Sequence, residues 1–302
     1  MEGLSLSPGR RVRASVKRGI VRDGSYWRAD DSRRVRRFRC LKCRRTFSSS
    51  RWSACFRQKK RRVNPWVAQL LGNTVSLRAT ARILGLNRKT VVRKSLFLGA
   101  LAKAERLKRL AELTESAEKI TEIQFDEMES FERTKCLPLS IPIVVEARTR
   151  KVLGFRVAVM PAKGPLAAIS RKKYGPRKDE RAKRASELFA ELVPVVSPDA
   201  IITTDQKSAY PRWLRKHFPK AKHRTIKGKR GCGTGQGELK RVVFDPLFSF
   251  NHTAAMFRAN INRLIRRTWC TTKRADRLAG HIELYIQAHN RRIDELRARG
   301  RD

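Results

Sequence analysis

Between residues 120 and 226, short apolar runs alternate with longer amphipathic stretches. Residues 120–125 read Ile-Thr-Glu-Ile-Gln-Phe, an alternation that predicts a strand. Residues 141–147 and 152–160 are rich in β-formers and joined through Arg148-Thr-Arg-Lys151, which predicts a hairpin with a bulge at Gly154. Residues 201–204 form a short strand running into Asp205, and residues 224–226 another. Helical spacing predicts helices over 181–193, over 208–217 with Tyr210 and Trp213, from Phe248 or Asn251 to about residue 267, and over 282–298. Residues 163–178 read as a basic loop, and Pro194 and Pro198 bound a short linker. This order predicts a mixed α/β sheet with helices on both faces.

The preceding segment is helical by its punctuation. Asn64 and Pro65 start a helix over about 66–72, which Gly72 and Asn73 end. Ser76 caps a second helix with Leu77, Ala79, Ala81 and Ile83 at its apolar positions. Gly85 makes a turn. Asn87 caps a third helix over 88–98, with Val91, Val92, Leu96 and Phe97 towards the core. Two helices around a short glycine turn, the second basic, match a helix-turn-helix or an ordinary small helical bundle. In the first case Thr90 and Arg93 reach base edges, Lys89 takes a phosphate, and Arg88 and Lys94 add to the DNA-facing set. Residues 101–118 predict an amphipathic helix, either a linker or dimer helix or one packed on its own chain.

Charge turns this outline towards nucleic acid. The 302 residues hold 71 Lys and Arg against 27 Asp and Glu, a formal net charge of +44. Neutralising phosphates releases counterions and favours binding to nucleic acid of any sequence. A small-molecule enzyme gains nothing from such self-repulsion. Residues 1–65 alone carry 21 Lys or Arg and 4 acids, and further basic stretches cover 216–241 and 258–274. No run of 18 apolar residues predicts a membrane span, and no apolar segment after Met1 predicts a secretory signal. The expected domains are a basic module over 1–62, a helix-turn-helix over 63–100, a linker helix over 101–119 and a catalytic domain over 120–302.

Candidate chemistry lies in two places. Cys40 and Cys43 have zinc-knuckle spacing between Phe38 and Phe47. Zinc needs four ligands. Cys55 is a third candidate, but residues 1–39 contain neither Cys nor His, so the ligand count argues against a complete structural zinc site. In the C-terminal half, two predicted strands end on Asp126 and Asp205. Adjacent strands delivering carboxylates to one edge hold a divalent cation with hard oxygen ligands, or simply cap turns. The stretch from Lys227 to Glu238 contains five glycines with Lys227, Lys229 and Arg230, but no P-loop signature. It is either a DNA-backbone loop or an ordinary surface loop. Trp213 and Trp269 suit base stacking or, more commonly, a helix core. The five histidines have no zinc spacing.

Residues 38–47, the helices at 65–98, Asp126-Glu127, Thr204-Asp205 with Tyr210, and the basic stretch 261–273 follow one another in an order that resembles small bacterial insertion-sequence transposases. The likeness covers about residues 20–295. It implies a zinc-ribbon-like module, a helix-turn-helix on double-stranded DNA at terminal inverted repeats, and a ribonuclease-H-like core with an Asp-Asp-Glu triad. It further implies Mg²⁺ or Mn²⁺, self-association on DNA, and a bacterial cytoplasmic, nucleoid-associated location. Carried over, the first two acids are Asp126 and Asp205. The third position is Asn251, not Glu, and the upstream cysteine pair is absent. Glu238, Glu127 and Glu129 are the alternative third acids. The expected function is metal-dependent DNA cleavage and strand transfer. The alternative is a non-catalytic DNA-binding protein, either a repressor or an inactive transposase relative. A basic RNA-binding structural protein accounts for the charge but not for the helices and acid-tipped strands together.

Overall fold

The computed structural model describes residues 19–227, 245–265 and 271–300, and the chain forms two compact units, residues 1–69 and 70–302. In the first unit, strands β1 (Ile20–Arg28), β2 (Arg33–Cys40) and β3 (Thr46–Ser48) make an antiparallel sheet in that order. Its hydrophobic content is small. Val35 is buried, and Phe38, Phe47 and Trp52 cluster with ring centroids 5.2–5.7 Å apart. Asp30 accepts the backbone N–H groups of Lys60 and Arg61 at 2.5 and 3.2 Å, tying the end of the unit to its β1–β2 turn. Helix α1 (Asn64–Leu71) carries the chain onward.

The second unit begins with two short-range caps that the sequence predicts. Ser76 accepts the Ala79 N–H and starts α2 (Leu77–Ile83), and Asn87 accepts the Lys89 N–H and starts α3 (Arg88–Glu115). Gly85 between them has φ +58°, which glycine adopts without steric cost. Helix α3 runs unbroken through 28 residues, so the separate linker helix expected from residue 101 is its C-terminal half.

Strands β4 (Ile120–Phe131), β5 (Pro138–Glu146), β6 (Val152–Phe155), β8 (Val196–Asp205) and β9 (Lys222–Ile226) form a sheet in the order β6-β5-β4-β8-β9. The short β7 (Ala158–Val159) also pairs with β5. Pairs β4–β8 and β8–β9 are parallel, and the others are antiparallel. The β5–β6 register slips opposite Leu153 and Gly154, where the bulge is expected. A Cβ on Gly154 would lie 2.7 Å from Leu188 Cδ1, so the glycine also admits the helix above it. The parallel step to β8 passes through α4 (Leu166–Tyr174) and α5 (Arg181–Leu192), so the basic segment expected as loop contains a helix. Strand β8 starts at Val196 and absorbs Pro198 beside a register shift, rather than leaving it in a linker.

Alternation along β4 divides the core. Ile123 and Phe125 pack with Leu188 and Phe189 of α5 and Tyr210 of α6 (Tyr210–Arg215). On the other side, Met128, Ile141 and Ile143 pack with Phe257 of α7 (Phe248–Asn260) and Ile282 of α8 (Ala275–Ala298). Helix α7 stops at Asn260, short of the expected residue 267. The Asn260 side chain bonds the Met256 carbonyl at 2.9 Å, and Ile261 is extended.

Helix α3 is fixed to this layered unit by close contact and by charge. A Cβ on Gly99 would come 2.6 Å from the Gly280 carbonyl oxygen, so the two glycines let α3 and α8 approach backbone to backbone. One turn and more beyond, buried Arg106 donates to both Glu283 oxygens at 3.0 Å, to Glu191 at 2.6 Å and to the Leu153 carbonyl. Burial opposes the guanidinium charge, but Glu283 and Glu191 raise its pKa above the ordinary value.

His281 of α8 is buried and bonds the Leu71 carbonyl at 2.7 Å. Burial, against that hydrogen bond, pushes its pKa from 6.5 to about 4. A lowered pKa means that the unfolded chain binds the proton first, so stability is complete above pH 6.5 and is lost as pH falls towards 4. Between pH 7.5 and 5 this group is expected to remove about 2 kcal/mol, from its shift of about 1.4 kcal/mol per pKa unit. Denaturant melts at the two pH values check this against His281→Gln, which should lose less. Equal losses would remove the assignment.

Candidate metal and nucleic-acid site

Asp126 and Asp205 come close because β4 and β8 run parallel, but only Asp205 ends its strand; β4, expected to end on Asp126, continues to Phe131 along β5. Gln124 is in register with Thr203, and two residues further along each strand stand Asp126 and Asp205. Asp126 is mostly buried, and its Oδ1 accepts the Tyr210 hydroxyl at 2.8 Å and the Glu127 N–H at 2.6 Å. Burial first, then the charges of Asp205 and Glu127, push its carboxyl up to about 6, against the lowering effect of these hydrogen bonds. The Tyr210 hydroxyl, buried beside these carboxylates, is held well above its usual range as a donor. Asp205 accepts the Lys207 N–H at 3.0 Å. Neither aspartate forms an ion pair among the described residues.

Glu127 has a different part. It accepts Ser140 Oγ at 2.5 Å and Tyr210 OH at 3.2 Å, and it pairs with Lys207. The Lys207 ammonium also lies over the Tyr210 and Trp213 rings, 5.0 and 5.5 Å from their centroids. Lys207, two residues after Asp205, is therefore engaged by a third carboxylate, Glu127. Glu129 is paired with Lys163 at 2.7 Å.

The start of α7 is docked on β4 close to this edge. Gln124, two residues before Asp126, donates to the Pro246 carbonyl at 3.0 Å and accepts the Phe250 N–H at 2.8 Å. Asn251 is the next residue and is exposed. Its Nδ2 donates to Asp245 at 2.8 Å, and the same carboxylate accepts the Leu247 N–H at 3.0 Å. Asp245 thus holds the amide group of Asn251 and leaves the carbonyl oxygen free of that contact. Sequence reasoning missed Asp245. The Asp-Pro pair just before an apolar helix was the available signal.

Two carboxylates, with an amide oxygen if Asn251 reaches them, are hard donors, and the Asp126 carboxyl is raised first by burial and then by the Asp205 and Glu127 charges. This donor set fits a hard divalent cation. Among the described residues, no three Asp, Glu, His or Cys side chains form a metal cluster. Glu238 lies outside the described residues, as do Lys229, Arg230, Cys232, Trp269 and Cys270. Lys227 is exposed.

The Cys40 N–H bonds the Arg45 carbonyl at 3.0 Å, closing a knuckle around Cys43. Hydrogen bonds from the backbone and side chain of Cys43, and from the Lys42 backbone, hold the Cys40 thiol below its ordinary pKa. Cys55 instead accepts Asn64 Nδ2 at 3.6 Å.

At the start of α3, Arg88, Lys89 and Arg93 are exposed and Thr90 is half-buried. Lys94 is only 3% exposed, so it leaves the expected DNA-facing set. A helix position one residue from Arg93 lies about 100° around the axis, which turns its side chain inward here. Trp213 packs against the core beside Tyr210.

No protein-family model matches the chain, and a search of curated proteins finds no match.

The raised Asp126 carboxyl gives a stability test. A folded-state pKa above the unfolded value favours the fold at low pH, and that benefit is lost as pH rises through about 6. At pH 8 without divalent cation, Asp126→Asn is therefore expected to stabilise the protein by up to about 3 kcal/mol. Thermal melts in chelator check this. A destabilised variant would contradict the reading.

Proposed function

We propose that this chain is a DNA transposase-like protein that binds DNA ends and carries out metal-dependent strand cleavage and transfer. The observation that carries the reading is the closeness of two carboxylates on parallel strands, Asp126 within β4 just past its pairing with β8, and Asp205 at the end of β8. Support comes from the sheet order, with its antiparallel β4–β5–β6 and parallel β4–β8–β9, which agrees with the ribonuclease-H-like core that the resemblance implies. The charge of +44 supplies affinity for the phosphate backbone.

Asp126 and Asp205 would hold the divalent cations, Mg²⁺ or Mn²⁺, with the Asn251 carbonyl as a neutral third oxygen. Bound there, such cations activate an attacking oxygen and stabilise the leaving oxygen of a phosphodiester. Tyr210 fixes one oxygen of Asp126 and so sets where the other points. Lys207, tied to Glu127, keeps a positive charge beside the site without occupying it. Arg88, Lys89, Thr90 and Arg93 would engage double-stranded DNA at terminal inverted repeats. Zinc at Cys40 and Cys43 is not part of the reading, because no fourth ligand lies near Cys40, Cys43 and Cys55 in the sequence.

The second reading, a DNA-binding protein without catalysis, is favoured by Asn251. An amide there brings no charge, and Asp245 supplies it only indirectly. Nicking and strand-transfer assays on DNA carrying the element's own ends, in Mg²⁺ and in Mn²⁺, separate the two. Weak activity is expected, raised by Asn251→Glu and abolished by Asp205→Asn. Robust activity that survives both Asp126→Asn and Asp205→Asn would overturn the metal site. Intact DNA binding with no activity in either metal would favour the second reading.

A further inference from the structure

The two faces of the small N-terminal sheet differ in a way that its fold does not require. Residues directly opposite one another on paired strands share a face. Trp27 pairs with Arg34, Ser25 with Arg36, Arg22 with Phe38, and Phe38 with Phe47. One face therefore carries Arg22, Arg34 and Arg36 together with Trp27 and the Phe38–Phe47 pair, on which Trp52 is packed. The other face carries Val35, Arg37 and Arg39.

The arginines on the two faces are treated differently. On the Val35 face, Arg39 pairs with Asp23 at 2.8 Å and Arg37 approaches the same carboxylate at 3.9 Å. On the aromatic face, Arg22, Arg34 and Arg36 are exposed and form no ion pair among the described residues. The aromatics on that face are also uncovered. Trp27 is 63% exposed and Trp52 62%, although Trp is usually well buried. A hydrophobic contact alone does not account for three bare cations, and charge alone does not account for two open indoles.

We propose that this face is a stacking platform for single-stranded nucleic acid, with bases on Trp27 and Trp52 and phosphates on Arg22, Arg34 and Arg36. Flat aromatic rings accept any unpaired base, while cations between them track the backbone. Arg34 and Phe38 are four residues apart on β2, about 13 Å, which leaves room for about two or three bases. A duplex hides its base faces and offers this surface only phosphates, so single strands are the occupant that uses both features. The proposal concerns the first unit alone and does not rest on the catalytic reading.

The test is fluorescence anisotropy of the full chain with labelled dT12, and with a duplex of random sequence, at several salt concentrations. Trp27→Ala is expected to weaken dT12 binding about tenfold and leave duplex binding within about twofold. Trp27→Phe should retain most of the affinity. Arg34→Ala with Arg36→Ala should weaken dT12 binding and flatten its salt dependence, whereas Arg37→Ala should do neither. Because Trp27 is exposed, the variants should keep the wild-type melting temperature. Unchanged dT12 binding in Trp27→Ala would overturn the proposal. So would an equal loss on duplex and single strand, which would mark the face as a general polyanion surface.

Discussion

A parallel pair of strands cannot be closed by a tight turn, and β4 and β8 are such a pair. The chain between them must cross over, here through α4 and α5, and that crossover covers one sheet face. Helices α7 and α8 cover the other. With both faces covered, the central strands bury apolar side chains on both sides, as β5 does along nearly its whole length. Asp205 ends β8, and Asp126 lies within β4 just past its last partner on β8, where β5 alone continues beside it. The parallel pairing makes Asp126 and Asp205 neighbours, and burial first, then the charges of Asp205 and Glu127, raise the Asp126 carboxyl. Carboxyl groups perturbed in this way concentrate at functional sites.

The same unit reaches the basic start of α3 through one helix. Gly99 against Gly280, and Arg106 between Glu283 and Glu191, fix α3 along α8 and beside β6. A buried arginine with both carboxylates in place is tolerated, whereas removal of one partner would leave an uncompensated charge. Under the proposed function, this joint sets the distance between the cations of Arg88, Lys89 and Arg93 and the carboxylate pair. A rigid 28-residue helix then does the work of a domain linker.

What the sequence made legible was local. Ser76, Gly85 and Asn87 act within three residues of themselves, and alternation in residues 120–125 and 201–204 exposes the two strands, though β4 runs on past Asp126 to Phe131. The rest depends on partners distant in the chain. Lys94 looks like one more surface cation until α3 acquires neighbours on that side. The charge of residues 163–178 hides the helix Leu166–Tyr174. The end of α7 comes from an asparagine that bonds its own helix, and from Asn262 donating to the Thr74 carbonyl 188 residues away. Asp245 gains meaning only beside Asn251, and Gly99 only beside Gly280. Resemblance supplied the idea of a third position in the site, and the side chains around Asn251 supplied its chemistry.

The central claim is that Asp126 and Asp205 together form a divalent-cation site, and it can be measured without DNA. Titration of the full chain with Mn²⁺, followed by electron paramagnetic resonance at pH 8, should reveal a bound population. Asp126→Asn and Asp205→Asn should each weaken it by at least about tenfold, since each removes one anionic oxygen ligand. Glu118→Gln, on an exposed residue just before the start of β4, should not. Mn²⁺ binding that is the same in the wild type and in both aspartate variants would contradict the account.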